Sequence, residues 1–149
     1  MIAELYERCL PMVGISTTEH LDAVESLAAE RFAVAAGAQP SDDPHPLFLS
    51  SVMGWHAGPD PGELCPDGTT EEFVPGLPLS GVRLMGAGQD LEFHEPVRVG
   101  ADVTLETTLT DVELKSGRSG DLLLLHLTRR YTADDGTLLT TCLETFIAR

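Results

Sequence analysis

Asp43 and His45 stand two residues apart in the segment Asp43-Pro44-His45-Pro46-Leu47-Phe48, with apolar neighbours on both sides. A carboxylate beside an imidazole can hold and move protons near neutral pH, so the pair is a candidate for general acid–base chemistry on a small molecule. The same residues also admit a plainer reading. Asp before Pro commonly starts a turn, and a histidine between two prolines can cap one. A helical first quarter and a β-rich second half must hold this segment between them.

The 149 residues carry a formal net charge of −15, with nine Lys and Arg scattered along the chain. Nucleic-acid binding is excluded on that ground, because phosphate contacts need a basic surface. Docking on an anionic membrane surface is excluded as well. Cys9, Cys65 and Cys142 form no CxxC pair, so neither a disulfide framework nor a zinc site is expected, and free thiols suit a reducing compartment. The first residues lack a basic segment followed by a long apolar one, and the longest aliphatic run, Leu122 to Leu125, is far too short to span a bilayer. The expectation is one domain over 1–149, located in the cytoplasm.

Ser16-Thr17-Thr18-Glu19 fits a capping box, and Leu21, Val24, Ala28, Phe32 and Ala35 recur at helical spacing up to Gly37. That pattern predicts an amphipathic helix over 17–36. Eight prolines between 38 and 82 break any long regular element there, leaving room for a short apolar helix between Leu47 and Trp55. The long loop from Gly58 to Glu72 is either a binding loop or a surface insertion. Beyond it the pattern alternates: Leu91 and Phe93, then Val103 to Leu109, with the apolar parity switching at Val112. A β-bulge near Asp111 accounts for that switch. Residues 115–120 form a turn, 122–131 a central strand, Asp135-Gly136 a hairpin and 139–147 the last strand.

An antiparallel sheet with one apolar face and few helices to cover it is most economically wrapped around one central helix. The predicted class is therefore α+β with a hot-dog arrangement, a barrel or sandwich being the alternative. An open edge strand of such a sheet invites a second chain, so a dimer through the sheet edge is expected.

The segment from Arg83 to Gly100, which contains Gly86-Ala87-Gly88-Gln89-Asp90-Leu91-Glu92-Phe93-His94-Glu95-Pro96, resembles the GG-x-L-E-F-H-x-P-x-R-V-G-D segment of MaoC-like dehydratases. Residues 31–37, 115–120 and 144–149 resemble the same family in the same order. The resemblance is closest to its N-terminal, fatty-acid-synthase-type half and to the mesaconyl-CoA hydratase group. It implies a hot-dog fold and a hydro-lyase acting on acyl thioesters: water adds reversibly to a 2-enoyl thioester or leaves a 3-hydroxyacyl thioester. It implies no cofactor, acyl-CoA being the substrate, and backbone amides at the start of the central helix as donors to the thioester oxygen.

In that family an Asp and a His in a D-x-N-P-x-H motif do the proton work. Laid on the motif, Asp43 takes the Asp position, His45 the Asn position, and Phe48 stands where the catalytic His belongs. Phenylalanine can neither give nor accept a proton, so the dyad is broken unless His45 rescues it. The candidate catalytic residues are Asp43 and His45. Candidate substrate contacts are Phe48, Trp55, Gly86, Ala87 and Gly88, the aromatic ones being core candidates before they are tunnel candidates. Lys115 and Arg118 either meet the phosphates of coenzyme A or decorate a solvated hairpin tip. Cys65 has no neighbour arranged to activate it. His94, out of phase with Leu91 and Phe93, is expected to be an exposed strand residue. No metal ligand set is visible.

The resemblance thus implies an acyl-binding half that works as a heteromer with a chain bearing an intact D-x-N-P-x-H motif. Two alternatives stand beside it: a homodimer using Asp43 and His45 for a pathway-specific dehydration or thioester hydrolysis, and a non-catalytic acyl-binding or structural subunit. The strong acidity disfavours an acidic carrier protein as the donor and favours coenzyme A.

Overall fold

The computed structural model describes residues 1–39, 41–53, 60–64, 68, 74, 76–118 and 120–149. Five strands carry the frame: β1 (Ser16–Ala23), β2 (Leu84–Phe93), β3 (Asp102–Gly117), β4 (Gly120–Ala133) and β5 (Leu138–Ala148). They form one antiparallel sheet in the order β1-β3-β4-β5-β2, so β1 and β2 are its edges. Three α-helices lie among the described residues: α1 (Ile2–Cys9), α2 (Ser26–Ala35) and α3 (Phe48–Ser51).

The expected meander from 102 to the end is present, with both strands of each hairpin reaching a residue or more beyond their expected limits. The bulge also lies where the parity switch put it. Leu109 pairs with Leu127 and Asp111 with His126, which leaves Thr110 as the extra residue. Its hydroxyl donates to the His126 carbonyl at 2.9 Å, and Asp111 Oδ1 accepts the Val112 N–H at 2.8 Å. The bulge therefore costs few unpaired polar groups, and Leu109 and Val112 both remain buried on the inner face.

The helix expected over 17–36 is half strand. Residues 16–23 form β1, paired with β3 from Ser16↔Thr108 to Ala23↔Asp102. Ser16 Oγ does not cap a helix; it bonds Thr108 Oγ1 at 2.7 Å. Threonine side chains suit a pleated edge better than a helix interior, and an available partner strand decided the matter. Asp22, with φ +63, and a register shift between His20 and Ala23 then turn the chain into α2. Gly37 does end that helix. Its N–H bonds the Val34 carbonyl at 3.0 Å, the Ala38 N–H bonds Ala33 at 2.8 Å, and its φ of +77 is one that glycine takes freely. Helix α1 was not expected at all; it buries Leu5 and Cys9.

The inner face of the sheet holds two apolar clusters. One, under α1, gathers Leu109, Val112, Leu123, Leu125, Leu127 and Phe146. The other, under α2 and α3, gathers Phe48, Leu49, Val103, Leu105, Tyr131 and Cys142. Between them lies a polar waist. Arg129 Nε meets Glu144 Oε2 at 3.1 Å, and Gln89 Nε2 donates to Glu144 Oε1 at 3.2 Å. Among the described residues no helix is long and apolar enough to cross a membrane.

Candidate active site

The segment from Ser41 to Phe48 is set by short local bonds. Ser41 Oγ donates to the Asp43 carbonyl. The Leu47 N–H donates to His45 Nδ1 at 3.2 Å, and the Phe48 N–H donates to the His45 carbonyl at 2.8 Å. His45 thus caps the turn that starts α3. An imidazole Nδ1 sits at the same reach as an asparagine side-chain oxygen, so His45 serves here as an Asn in that place would. The bond also fixes the chemistry of the ring. With the Nδ1 lone pair engaged in that bond, the neutral ring carries its hydrogen on Nε2 and offers it as a donor.

This segment walls a cavity of about 460 Å³. Asp43, Pro44, His45 and Pro46 line one side, and α2 contributes Glu30 and Ala33. The opposite wall comes from Phe93 at the end of β2, the following residues His94 to Val97, and Thr140 of β5. Asp43 and His45 are therefore brought together at one cavity. Sequence reasoning missed Glu30, His94, Glu95 and Thr140. His94 is exposed as expected but lies just past the end of β2 and not on the strand, with Nε2 3.0 Å from Thr141 Oγ1. The signal was present in the out-of-phase His94-Glu95-Pro96, where Pro ends the strand and turns the chain toward α2.

Phe48 is not at the cavity. It is 1% exposed, stacked edge-on against Phe32 with ring centroids 5.9 Å apart, and belongs to the inner cluster. Phe32 also meets the His45 ring edge-on at 5.5 Å, so one aromatic contact connects core and turn. Trp55 and Cys65 lie outside the described residues, as does most of the Gly58–Glu72 loop. Gly86, Ala87 and Gly88 sit on the edge strand β2, paired with β5 across a register shift, and do not line the cavity. The amides of Leu47 and Phe48, at the start of α3, already have partners in His45.

Lys115 and Arg118 are at the other end of the sheet. Thr140 pairs with Tyr131 and Lys115 with Leu122, nine residues apart on β4, or about 30 Å of strand. Lys115 Nζ is held by Glu113 at 2.9 Å, and Glu113 also meets His126 Nε2 at 3.0 Å. Lys115 first, then His126, keeps the Glu113 carboxyl below the usual carboxylate range. Among the described residues no group of three or more His, Cys, Asp or Glu is placed to hold a metal.

The buried thiols are inert. Burial, and secondly the Glu144 carboxylate, push Cys142 up to about 11; burial raises Cys9. A folded chain that keeps these protons where an unfolded chain loses them is stabilised only below the unfolded value of 9.0. Stability should therefore fall as pH rises from about 9 to 11, which urea midpoints at either end of that window will read. Iodoacetamide at neutral pH should leave Cys9 and Cys142 unmodified until denaturant is added.

Residues 12–142 match the family described as FAS1-like, dehydratase domain region. The mesaconyl-C(4)-CoA hydratase of Chloroflexus aurantiacus is 31% identical over 118 residues, covering 74% of this chain and 41% of that protein. The chain thus spans about two fifths of the length of this curated relative. The MaoC-like dehydratase of Rhodospirillum rubrum superposes with a TM-score of 0.61 at 18% identity, over 91% of this chain and 90% of the other. A chain of the ChsH1-ChsH2 complex from Mycobacterium tuberculosis gives 0.69 at 11% identity, over 98% and 96%. These likenesses bear out the hot-dog arrangement of the sheet and helices.

Proposed function

The chain belongs to the FAS1-like dehydratase region family, among the MaoC-like hot-dog dehydratases, and from that premise we propose that it is the acyl-binding half of an acyl-thioester hydratase or dehydratase. It holds the acyl end of a coenzyme A thioester in the cavity beside Asp43 and His45, and a second MaoC-like chain with an intact D-x-N-P-x-H motif supplies the proton transfer. One observation carries this reading: Phe48, in the position of the family's histidine, is buried against Phe32 and away from the cavity. The bond from the Leu47 N–H to His45 Nδ1 also favours this reading, since it engages the lone pair a base would use.

In this arrangement Asp43 presents a carboxylate that can orient a water or a substrate hydroxyl, and His45 offers Nε2–H as a donor. Neither completes general acid–base catalysis alone. The heteromeric ChsH1-ChsH2 relative supports a paired assembly by analogy, and the two sheet edges offer places for the second chain to add. A homodimer using Asp43 and His45 draws its support only from their sharing one cavity.

The test is hydration of crotonyl-CoA by the purified chain, alone and after co-expression with a MaoC-like chain that has the intact motif. Turnover should rise by about 10²–10⁴-fold with the partner, the usual contribution of a positioned acid or base. Robust hydration by the pure chain, abolished in His45→Ala, would overturn the heteromeric reading in favour of the homodimer.

A further inference from the structure

The cavity is charged where it meets solvent and uncharged in its depth. Of its lining, Glu30, Asp43, His94 and Glu95 are exposed, whereas Ala33, Pro44, Val97 and Thr140 are buried. The first three of these buried residues are apolar. Thr140, 2% exposed, is different: apart from the Tyr131 phenol, its hydroxyl is the one oxygen carried by a buried side chain among the described residues. It stands on the inner face of β5, between Phe93 of β2 and Tyr131 of β4. Valine suits a buried strand position as well as threonine does, so the strand itself does not call for a hydroxyl. Among the described residues that hydroxyl has no hydrogen-bond partner. The fold does not seal it away either, and the open space it borders is the cavity.

We propose that Thr140 is a specificity-determining residue of this cavity: its hydroxyl holds an oxygen borne by the acyl chain itself. The site then takes acyl thioesters with a hydroxyl or carboxyl oxygen on the chain in preference to plain hydrocarbon ones. This rests on the acyl-binding reading above and names the substrate class of that site. A threonine hydroxyl donates to a carboxylate oxygen and can either donate to or accept from a hydroxyl, so one residue serves both groups. A hydrocarbon chain pushed to the same depth displaces water from the hydroxyl and returns no bond, which penalises its entry. A site built to bond a substrate oxygen discriminates against the analogue that lacks it. Ala33, Pro44 and Val97 meanwhile give the carbon skeleton apolar surface on either side.

Butyryl-CoA, 3-hydroxybutyryl-CoA and succinyl-CoA form a matched set, because all carry a four-carbon acyl group and differ in the oxygen on it. Titrated into the full chain and followed by calorimetry, the better of the two oxygen-bearing thioesters should bind about 3–10-fold more tightly than butyryl-CoA, the return on one hydrogen bond. Which of them leads tells a hydroxyl from a carboxylate as the group held. Thr140→Val should erase that advantage without lowering the urea midpoint, since no bond within the fold is lost, and Thr140→Ser should keep it. Equal affinity for all three thioesters overturns the role of Thr140 while leaving the acyl-binding reading in place. So does an advantage that survives Thr140→Val, or a midpoint that falls in that variant. Absence of binding by all three overturns the acyl-binding reading and this inference with it.

Discussion

Replacing Phe48 with alanine should lower the unfolding free energy by about 3–5 kcal/mol, the usual result of truncating a buried phenylalanine. The ring is 1% exposed and is flanked by Phe32, with Leu49 fully buried beside it. A four-residue helix has little stability of its own, so α3 depends on this burial. The loss is a large part of the about 5–15 kcal/mol that holds a domain folded, and urea denaturation will read it as a lower midpoint. Phe48→His discriminates function from packing. It restores the histidine of the family motif, with His45 still in the Asn place, yet it puts an imidazole in the core, where an unsatisfied polar group costs about 1–3 kcal/mol. Destabilisation with no gain of crotonyl-CoA hydration is expected. A hydrating Phe48→His variant would show that position 48 reaches the cavity.

Glu144→Ala should cost about 2–4 kcal/mol, because it leaves the Arg129 guanidinium on the inner face without its carboxylate. The two side chains are 22% and 15% exposed, and Gln89 loses its acceptor at the same time. Arg129→Met combined with Glu144→Leu should recover most of the loss, since apolar replacement removes both charges together. Chemical denaturation of the two single variants and the double one measures the coupling. If Glu144→Ala is neutral, solvent reaches the pair and the waist is not structural.

The strands were legible because apolar residues alternate along them, and the bulge at Thr110 because one extra residue reverses that alternation. The family was legible from the Arg83–Gly100 segment. Local pattern failed at Ser16-Thr17-Thr18-Glu19, which satisfies a capping box and an edge strand equally well; pairing with Thr108, ninety-two residues away, chose the strand. It failed again at the cavity. Asp43 and His45 could be singled out, but Glu30, His94, Glu95 and Thr140 line the same cavity only because β2 ends and β5 begins beside α2. Nothing in the spacing of those residues records it. The turn-capping bond of His45 was one of two readings the prolines allowed, and backbone geometry selected it.

The polar waist of Arg129, Glu144 and Gln89 divides the shared sheet into two compartments, each with its own apolar interior. A void or an extra methylene opened beneath α1 finds no continuous oily path to the cavity end, since packing strain passes between touching apolar atoms and here they are interrupted by charge. The half under α1 is thereby free to diverge, to fit a different neighbour or a different temperature, without retuning the half that bears Asp43 and His45.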